Sequence, residues 1–265
     1  MFSENDGYER FMGRWSRRLA PLFVTFAGVT EGDRVLDVGS GTGALSAAAA
    51  AIDSVQVTGV ERSAAYVRYA REHVSGRFAV GDALALPFPA DAFNRTLSML
   101  VLNFVADPAA ALHQMVRVTR PGGVVAAAVW DYGDGMQMLR TFWDTAVALD
   151  SDAAPRDERN MPLATRGSLA ELWRTHGLQD VDEQALTIEM PFASFDDYWR
   201  PFLGGQGPAG VYTAGLAESA RHALESRLRE HLGDTGFTLE ARAWTVRGGV
   251  IWSPCRRAGN PAVRR

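Results

Sequence analysis

The sequence predicts an α/β fold built on a parallel sheet, and three observations predict it. From Arg34 to Trp130, short apolar or β-branched runs alternate with longer helix-like segments, the signature of βαβ units. Within this region Val35-Leu36-Asp37-Val38-Gly39-Ser40-Gly41-Thr42-Gly43 carries an apolar strand straight into a glycine-rich turn and an alanine-rich helix. The chain, 265 residues with 47% hydrophobic and 22% charged, is also long enough to close a core without staples. At this size roughly 70 to 75% of the unfolded surface is buried on folding.

The elements follow in order. Tyr8 to Ala27 places Phe11, Trp15, Leu19, Leu22 and Phe26 at helical spacing, so a helix is expected to lie over the sheet. Five strands are expected at Arg34 to Val38, Val55 to Val60, Arg77 to Val80, Phe93 to Leu100 and Gly123 to Val129. Ala44 to Ala51, Ala64 to His73 and Pro108 to Thr119 read as the helices between them. In the last, Asp107 suits the N-cap and Pro108 the first turn, while Arg120, Pro121 and Gly122 stop the helix. Beyond Trp130, Met136 to Leu149 looks helical and Ser151 to Leu163 is a polar, proline-containing loop. Ser168 to Thr175 is a helix ended by Gly177, and Leu178 to Met190 is a strand. Phe192 to Gly210 is rich in aromatics and glycine, Gly215 to Leu232 is an amphipathic helix, and Phe237 to Trp252 is extended. There is no internal repeat.

Composition excludes several chemistries. All 27 basic residues are arginine, so no Schiff base, P-loop lysine or lysine base can operate. The single Cys255 excludes an internal disulfide framework and multi-cysteine zinc sites, and no metal is expected. A net charge of -4 gives no basic field for nucleic acid or anionic lipid. The acidic N-terminus does not read as a secretory signal, and no apolar run reaches the ~18 to 20 residues of a membrane span. A cytoplasmic protein without stable membrane association is expected. The sequence carries no signal for oligomeric state.

The glycine turn lets backbone approach a ligand closely, and the helix that follows offers unpaired N–H groups. Gly39, Gly41 and Ala44 also satisfy the relaxed dinucleotide pattern, so the turn alone does not separate NAD from another nucleoside cofactor. Glu61, at the end of the second strand and about 20 residues past the turn, can accept hydrogen bonds from both hydroxyls of a ribose.

Four linked stretches extend this signal: LDVGSGTG at Leu36 to Gly43, GVE at Gly59 to Glu61, GDALALPFPADAFN at Gly81 to Asn94, and SMLVLNFVADPAAALHQMVRVTRPGG from Ser98 to Gly123. In this order they resemble the class I S-adenosylmethionine-dependent methyltransferases, particularly the ubiquinone and menaquinone biosynthesis branch. The resemblance is strong over about Asp33 to Trp130. It implies a Rossmann-like, seven-stranded, mostly parallel sheet with helices on both faces, in which Leu178 to Met190 and Phe237 to Trp252 supply a reversed hairpin at the edge. It also implies a single methyltransferase domain. Residues 1-29 would be a helical cover, 30-133 the cofactor-binding core, 134-166 and 191-235 cap or substrate segments, and 167-190 with 236-253 the rest of the sheet.

The resemblance assigns roles for S-adenosyl-L-methionine. Gly39, Gly41 and Gly43 would pass beneath its methionine part, Glu61 would hold the ribose, and Arg62 would cover the adenine face. Asp82 would accept from the adenine amino group while the Ala83 backbone addresses a ring nitrogen, and Met99 would line the cleft. Asp37, otherwise a costly buried acid, would face the methionine ammonium. Tyr8, Arg14 and Trp15 would close the cleft and meet the methionine carboxylate. Related quinone-modifying enzymes often have histidine where this chain has Asn103-Phe104, so neither a quinone substrate nor a histidine base is carried over.

Methyl transfer from a sulfonium needs orientation and desolvation more than a base. Should the acceptor have to lose a proton, Asp131, Tyr132 and Asp134 follow the fifth strand, where clefts of open α/β sheets form. Met136, Met138, Phe142 and Trp143 form one aromatic and methionine set, and Phe192, Phe195, Tyr198, Trp199, Phe202 and Tyr212 another. They suit either core packing or a flat or apolar small-molecule acceptor, with Trp143, Tyr198 and Trp199 as the contact candidates. The alternatives are a cofactor-binding regulatory protein without turnover and an NAD-dependent oxidoreductase.

Overall fold

A computed structural model describes Gly7 and residues 9–251. Seven strands, β1 (Arg34–Val38), β2 (Gln56–Glu61), β3 (Arg77–Val80), β4 (Phe93–Met99), β5 (Thr119–Trp130), β6 (Gln179–Phe192) and β7 (Phe237–Gly249), form one sheet in the order β3-β2-β1-β4-β5-β7-β6. The first five are parallel, and β7 runs antiparallel to both β5 and β6. This is the Rossmann-like sheet the sequence implied, with a long β6-β7 pairing at its edge.

Crossover helices α2 (Ala44–Ala50), α3 (Ala64–His73) and α4 (Pro108–Val118) link the parallel strands, and α1 (Arg14–Phe26) packs on α2 and β6. Asp107 caps α4 by accepting from the Ala110 N–H at 2.9 Å, with Pro108 at the first helical position. The segments expected as cap carry α5 (Gln137–Leu149), the short α7 (Phe195–Trp199), α8 (Gly207–Gly215) and α9 (Glu218–Leu232), while α6 (Ser168–Thr175) packs on β6 and β7. One continuous buried cluster, from Phe11 to Val250, joins sheet, cover and cap.

Four local expectations change. The N-terminal helix begins with a π-helical turn, Glu9–Gly13, in which the Glu9 carboxylate lies where a Cβ on Gly13 would be 2.6 Å from its Cδ. β5 starts at Thr119 rather than Gly123, because Thr119 pairs with Phe93 and its hydroxyl lies 2.6 Å from that of Thr96. Ser151 to Leu163 contains two 3-10 turns, Ser151–Arg156 and Glu158–Asn160, because Asp150 and Asp157 accept from the N–H groups of Asp152 and Arg159. The helix expected from Gly215 starts at Glu218, because Leu216 and Ala217 are extended and separate it from α8. Tyr8, Trp252 and Cys255 lie outside the described residues.

Candidate functional site

In this strand order the chain reverses direction across the sheet between β1 and β4, and a crevice opens at the carboxyl ends of the strands there. Two cavities lie in it. One, of about 180 Å³, lies between Glu61-Arg62 after β2, Asp82-Ala83 after β3, and Val101 and Phe104 after β4. The other, of about 50 Å³, is bounded by Ser16 of α1, Asp37 of β1, the turn at Ser40 to Thr42, and Met99. Gly39 and Val101 line both, so they are lobes of one cleft.

The glycine turn is shaped by positive φ angles at Gly39 (+77°), Gly41 (+52°) and Gly43 (+95°), which side-chain-bearing residues rarely adopt. A Cβ on Gly39 would strike Val101 at 2.6 Å, whereas one on Gly41 would meet nothing within 4 Å. Gly39 is thus glycine for packing, while Gly41 faces open space. The Glu61 carboxylate ties the turn to the start of α3, accepting from Gly41 N–H at 3.1 Å and Ser63 N–H at 2.8 Å. A carboxylate has about four lone-pair sites, so capacity remains for a ligand's hydroxyls. Asp82 is exposed, and its Oδ1 accepts from Leu84 N–H at 2.9 Å, shaping the turn after β3.

Asp37 is 1% exposed. Burial raises its carboxyl from the usual range to about 7, against the lowering effect of hydrogen bonds from Ser46 and with a further upward push from Glu61. Ser46 Oγ donates to it at 2.7 Å. A cationic ligand group in the small lobe would favour its ionised form. The open Gly41 face, acceptors at Glu61 and Asp82, and a buried acid at Asp37 together fit the nucleoside and cationic parts of an adenosyl sulfonium ligand.

The cover contributes differently from expectation. Arg14 is held by the cap: Nη1 donates to Asp197 Oδ1 at 2.7 Å, Nη2 donates to the Asp197 carbonyl at 3.2 Å, and the guanidinium lies over Trp15 and Phe192. Trp15 is 2% exposed and packs on Phe192. The cover reaches the glycine turn instead through Glu9, which accepts from Thr42 Oγ1 at 2.5 Å and pairs with Arg17.

Asp131 accepts from Arg242 Nε at 2.8 Å and Nη2 at 2.5 Å, and from Asp134 N–H at 3.1 Å. Those bonds hold β5 to β7 and shape a turn. Tyr132 is buried, and neither residue lines the two lobes. Trp143 donates through Nε1 to Glu158 at 2.9 Å, Tyr198 donates to the Met138 carbonyl at 3.0 Å, and Trp199 packs against Phe195 and Phe202. All three are buried and outside the lobes. The Tyr198 hydroxyl is pushed well above its ordinary pKa by burial.

Sequence reasoning passed over Val101, Phe104, Ser46 and Glu9 as site residues. Position directly after the fourth strand was a usable signal for Val101 and Phe104. The contacts of Ser46 and Glu9 span 9 and 33 positions, and no local pattern marks them. Among the described residues there is no group of three or more His, Cys, Asp or Glu able to hold a metal ion, and no helix long and apolar enough to cross a membrane.

Comparisons with known proteins bear on this cleft. Residues 36–127 match the family described as Methyltransferase domain. The chain is 36% identical over 201 residues to a 2-methyl-6-phytyl-1,4-hydroquinone methyltransferase of Synechocystis, covering 72% of this chain and 61% of that protein. It is 30% identical over 246 residues to an uncharacterised protein of Mycobacterium bovis, covering 86% of each. The matched region spans 61% and 52% of the first two curated relatives. Among solved structures, a phosphoethanolamine N-methyltransferase of Haemonchus contortus in complex with S-adenosyl-L-methionine aligns with a TM-score of 0.58 at 19% identity, over 94% of this chain and 57% of that one. The [4+2]-cyclase SpnF aligns with a TM-score of 0.53 at 23% identity, over 88% and 81%. These likenesses show the shared fold, on which more than one chemistry occurs.

Proposed function

The chain belongs to the class I S-adenosylmethionine-dependent methyltransferase family, and we propose that it moves a methyl group from S-adenosyl-L-methionine to a small, flat or apolar organic acceptor. The observation that carries this reading is the two-lobed cleft, with Glu61 and Asp82 at one lobe and buried Asp37 at the other. The cofactor, when bound, supplies an activated methyl carbon. The protein's task is then to hold both partners in line and exclude water.

Glu61 takes the ribose hydroxyls with its remaining lone pairs, and Arg62 covers the adenine. Asp82 and the Ala83 backbone read the adenine edge. The turn at Gly39, Gly41 and Gly43 passes under the methionine part, with Met99 along the cleft wall, and Asp37 faces the ammonium. Tyr8 remains a proposed cleft-closing aromatic on sequence grounds. Asp131 and Tyr132 are not assigned as a base, since the Asp131 carboxylate is already held by Arg242. A small acceptor accords with relatives named for a hydroquinone and for demethylmenaquinone.

Calorimetry with adenosylhomocysteine and with NAD tests the cofactor assignment. Binding of the first alone is expected, and Glu61→Ala is expected to weaken it ~10-fold or more through loss of charge-assisted hydrogen bonds. NAD binding, or unchanged affinity in the variant, would overturn it. Transfer of label from the cofactor into a metabolite extract, read by mass spectrometry, identifies the acceptor and the atom methylated.

A further inference from the structure

We propose that Asp37 is protonated in the ligand-free protein and gives up that proton to solvent when the cofactor's ammonium enters the small lobe, so that cofactor binding tightens as pH rises. The proposal rests on the cofactor reading of the cleft and adds a proton linkage to it.

The geometry sets this carboxyl apart. Among the described residues that line the small lobe, Asp37 is the only ionisable one; the others include Ser16, Thr42, Leu45 and Met99. It is almost fully buried, so water does not solvate a charge there. In the sheet it lies between Gly59 of β2 and Leu97 of β4, neither of which carries a charge. From α2, Ser46 reaches it through its hydroxyl at 2.7 Å and through its backbone.

The charge that bears on Asp37 is that of Glu61 at the end of β2, and it has the same sign. Farther round the turn, Glu9 of the cover meets Thr42 and is itself paired with Arg17. Hydrogen bonds from one serine do not offset full burial beside a second acid, and the balance holds the carboxyl at about 7. The five histidines titrate in the same range, but they lie on α3, α4 and α9 and just after α6, and none lines either lobe.

An α-ammonium in the lobe reverses that balance. α-Amines stay protonated below ~7.7, and an opposite charge within ~4 to 6 Å favours the carboxylate. The carboxylic acid and the ligand's ammonium become a carboxylate–ammonium pair, one O–H bond breaks, and its proton passes to the buffer. The sulfonium charge is not required. Adenosylhomocysteine, which keeps the ammonium, therefore shows the linkage, whereas 5′-methylthioadenosine, which has the adenosine and sulfur without the amino-acid part, does not. Glu158, also held at about 7 by burial, lines neither lobe, so its titration is common to both ligands.

The test is calorimetry of wild type and Asp37→Asn with each of the two ligands, from pH 5.5 to 7, in paired buffers of low and high ionisation enthalpy. For wild type, adenosylhomocysteine affinity is expected to rise ~10-fold or more across this range. Binding should release roughly one proton at pH 5.5 and fewer as pH approaches 7. 5′-Methylthioadenosine is expected to bind with little pH dependence. Asp37→Asn is expected to bind adenosylhomocysteine more weakly than wild type at pH 7 and without the rise, so that the two proteins draw together as pH falls. Should this variant not fold, the proton count of wild type with the two ligands decides alone. Adenosylhomocysteine affinity that is flat with pH, or equal proton release with both ligands, would overturn the proposal and leave the cofactor reading standing. Wild type that binds adenosylhomocysteine at no pH in the range would overturn the cofactor reading and the proposal with it.

Discussion

Asp37 accepts a hydrogen bond from Ser46 Oγ at 2.7 Å, joining the buried end of β1 to the helix that follows the glycine turn. Burial raises this carboxyl from 3.8 to about 7, so between those values the folded protein keeps a proton that the unfolded chain has released. The resulting stabilisation is full below the unfolded value and is lost as pH rises through 7. Asp37→Asn removes the dependence. The difference in unfolding free energy between wild type and variant should therefore move by ~1 kcal/mol per pH unit between pH 5 and 7, with wild type losing ground as pH rises. Denaturant titrations at several pH values check it. The difference between proteins is the proper measure, because Glu158 is also raised to about 7 by burial and contributes equally to both.

Much of the parallel core was legible because its signals are local. The strand-turn-helix at Val35 to Gly43 and the Asp107-Pro108 cap each depend on residues a few positions apart. The start of β5 differs from the sequence reading because Pro121 and Gly122 look like terminators, whereas Thr119 already pairs with Phe93 ahead of them and, after an irregularity, the ladders with β4 and β7 run on from Val124. The role of the cap aromatics was ambiguous for a deeper reason. A tryptophan that packs a core and one that holds a flat ligand have the same sequence appearance, and burial such as that of Trp143 separates them only once the fold is known. Arg14 illustrates the same limit, since its partner Asp197 is 183 positions away.

Gly41 separates ligand binding from stability. A methyl added there meets no protein atom within 4 Å, so Gly41→Ala incurs only the cost of φ at +52°, ~1 kcal/mol. The methyl would project into the space through which the cofactor is proposed to pass. A drop in melting temperature of only a few degrees is expected, together with a loss of adenosylhomocysteine affinity well above 10-fold. Unchanged affinity in calorimetry would place the ligand away from the turn.

The Asp131-Arg242 pair predicts an asymmetry between its two halves. The Asp131 side chain is 7% exposed and that of Arg242 is 37% exposed, so removing the arginine strands the more deeply buried charge. Arg242→Ala should destabilise by ~1 to 3 kcal/mol. Asp131→Asn keeps one acceptor oxygen, enough for Asp134 N–H or for the guanidinium but not for both, and leaves unpaired only the more exposed Arg242, so it should cost less. Because Asp131 is held in this way, Asp131→Asn should leave the pH dependence of turnover in place. Loss of the acidic limb of that profile would instead make Asp131 the base.

Trp199 distinguishes packing from substrate contact in the cap. It is 3% exposed, its ring centroid lies 6.4 Å from that of Phe195 and 6.2 Å from that of Phe202, and Phe202 in turn stacks on Phe142 at 4.5 Å. Truncation to alanine would leave a cavity in this cluster, and buried tryptophan or phenylalanine truncations cost ~3 to 5 kcal/mol. Trp199→Ala should therefore lower the melting temperature sharply, and Trp199→Phe should recover a large part of the loss. Both variants should retain adenosylhomocysteine affinity at temperatures where they remain folded, because Trp199 does not line either lobe of the cleft. An alanine variant that keeps its melting temperature but loses turnover would move Trp199 from the packed cluster to the acceptor surface.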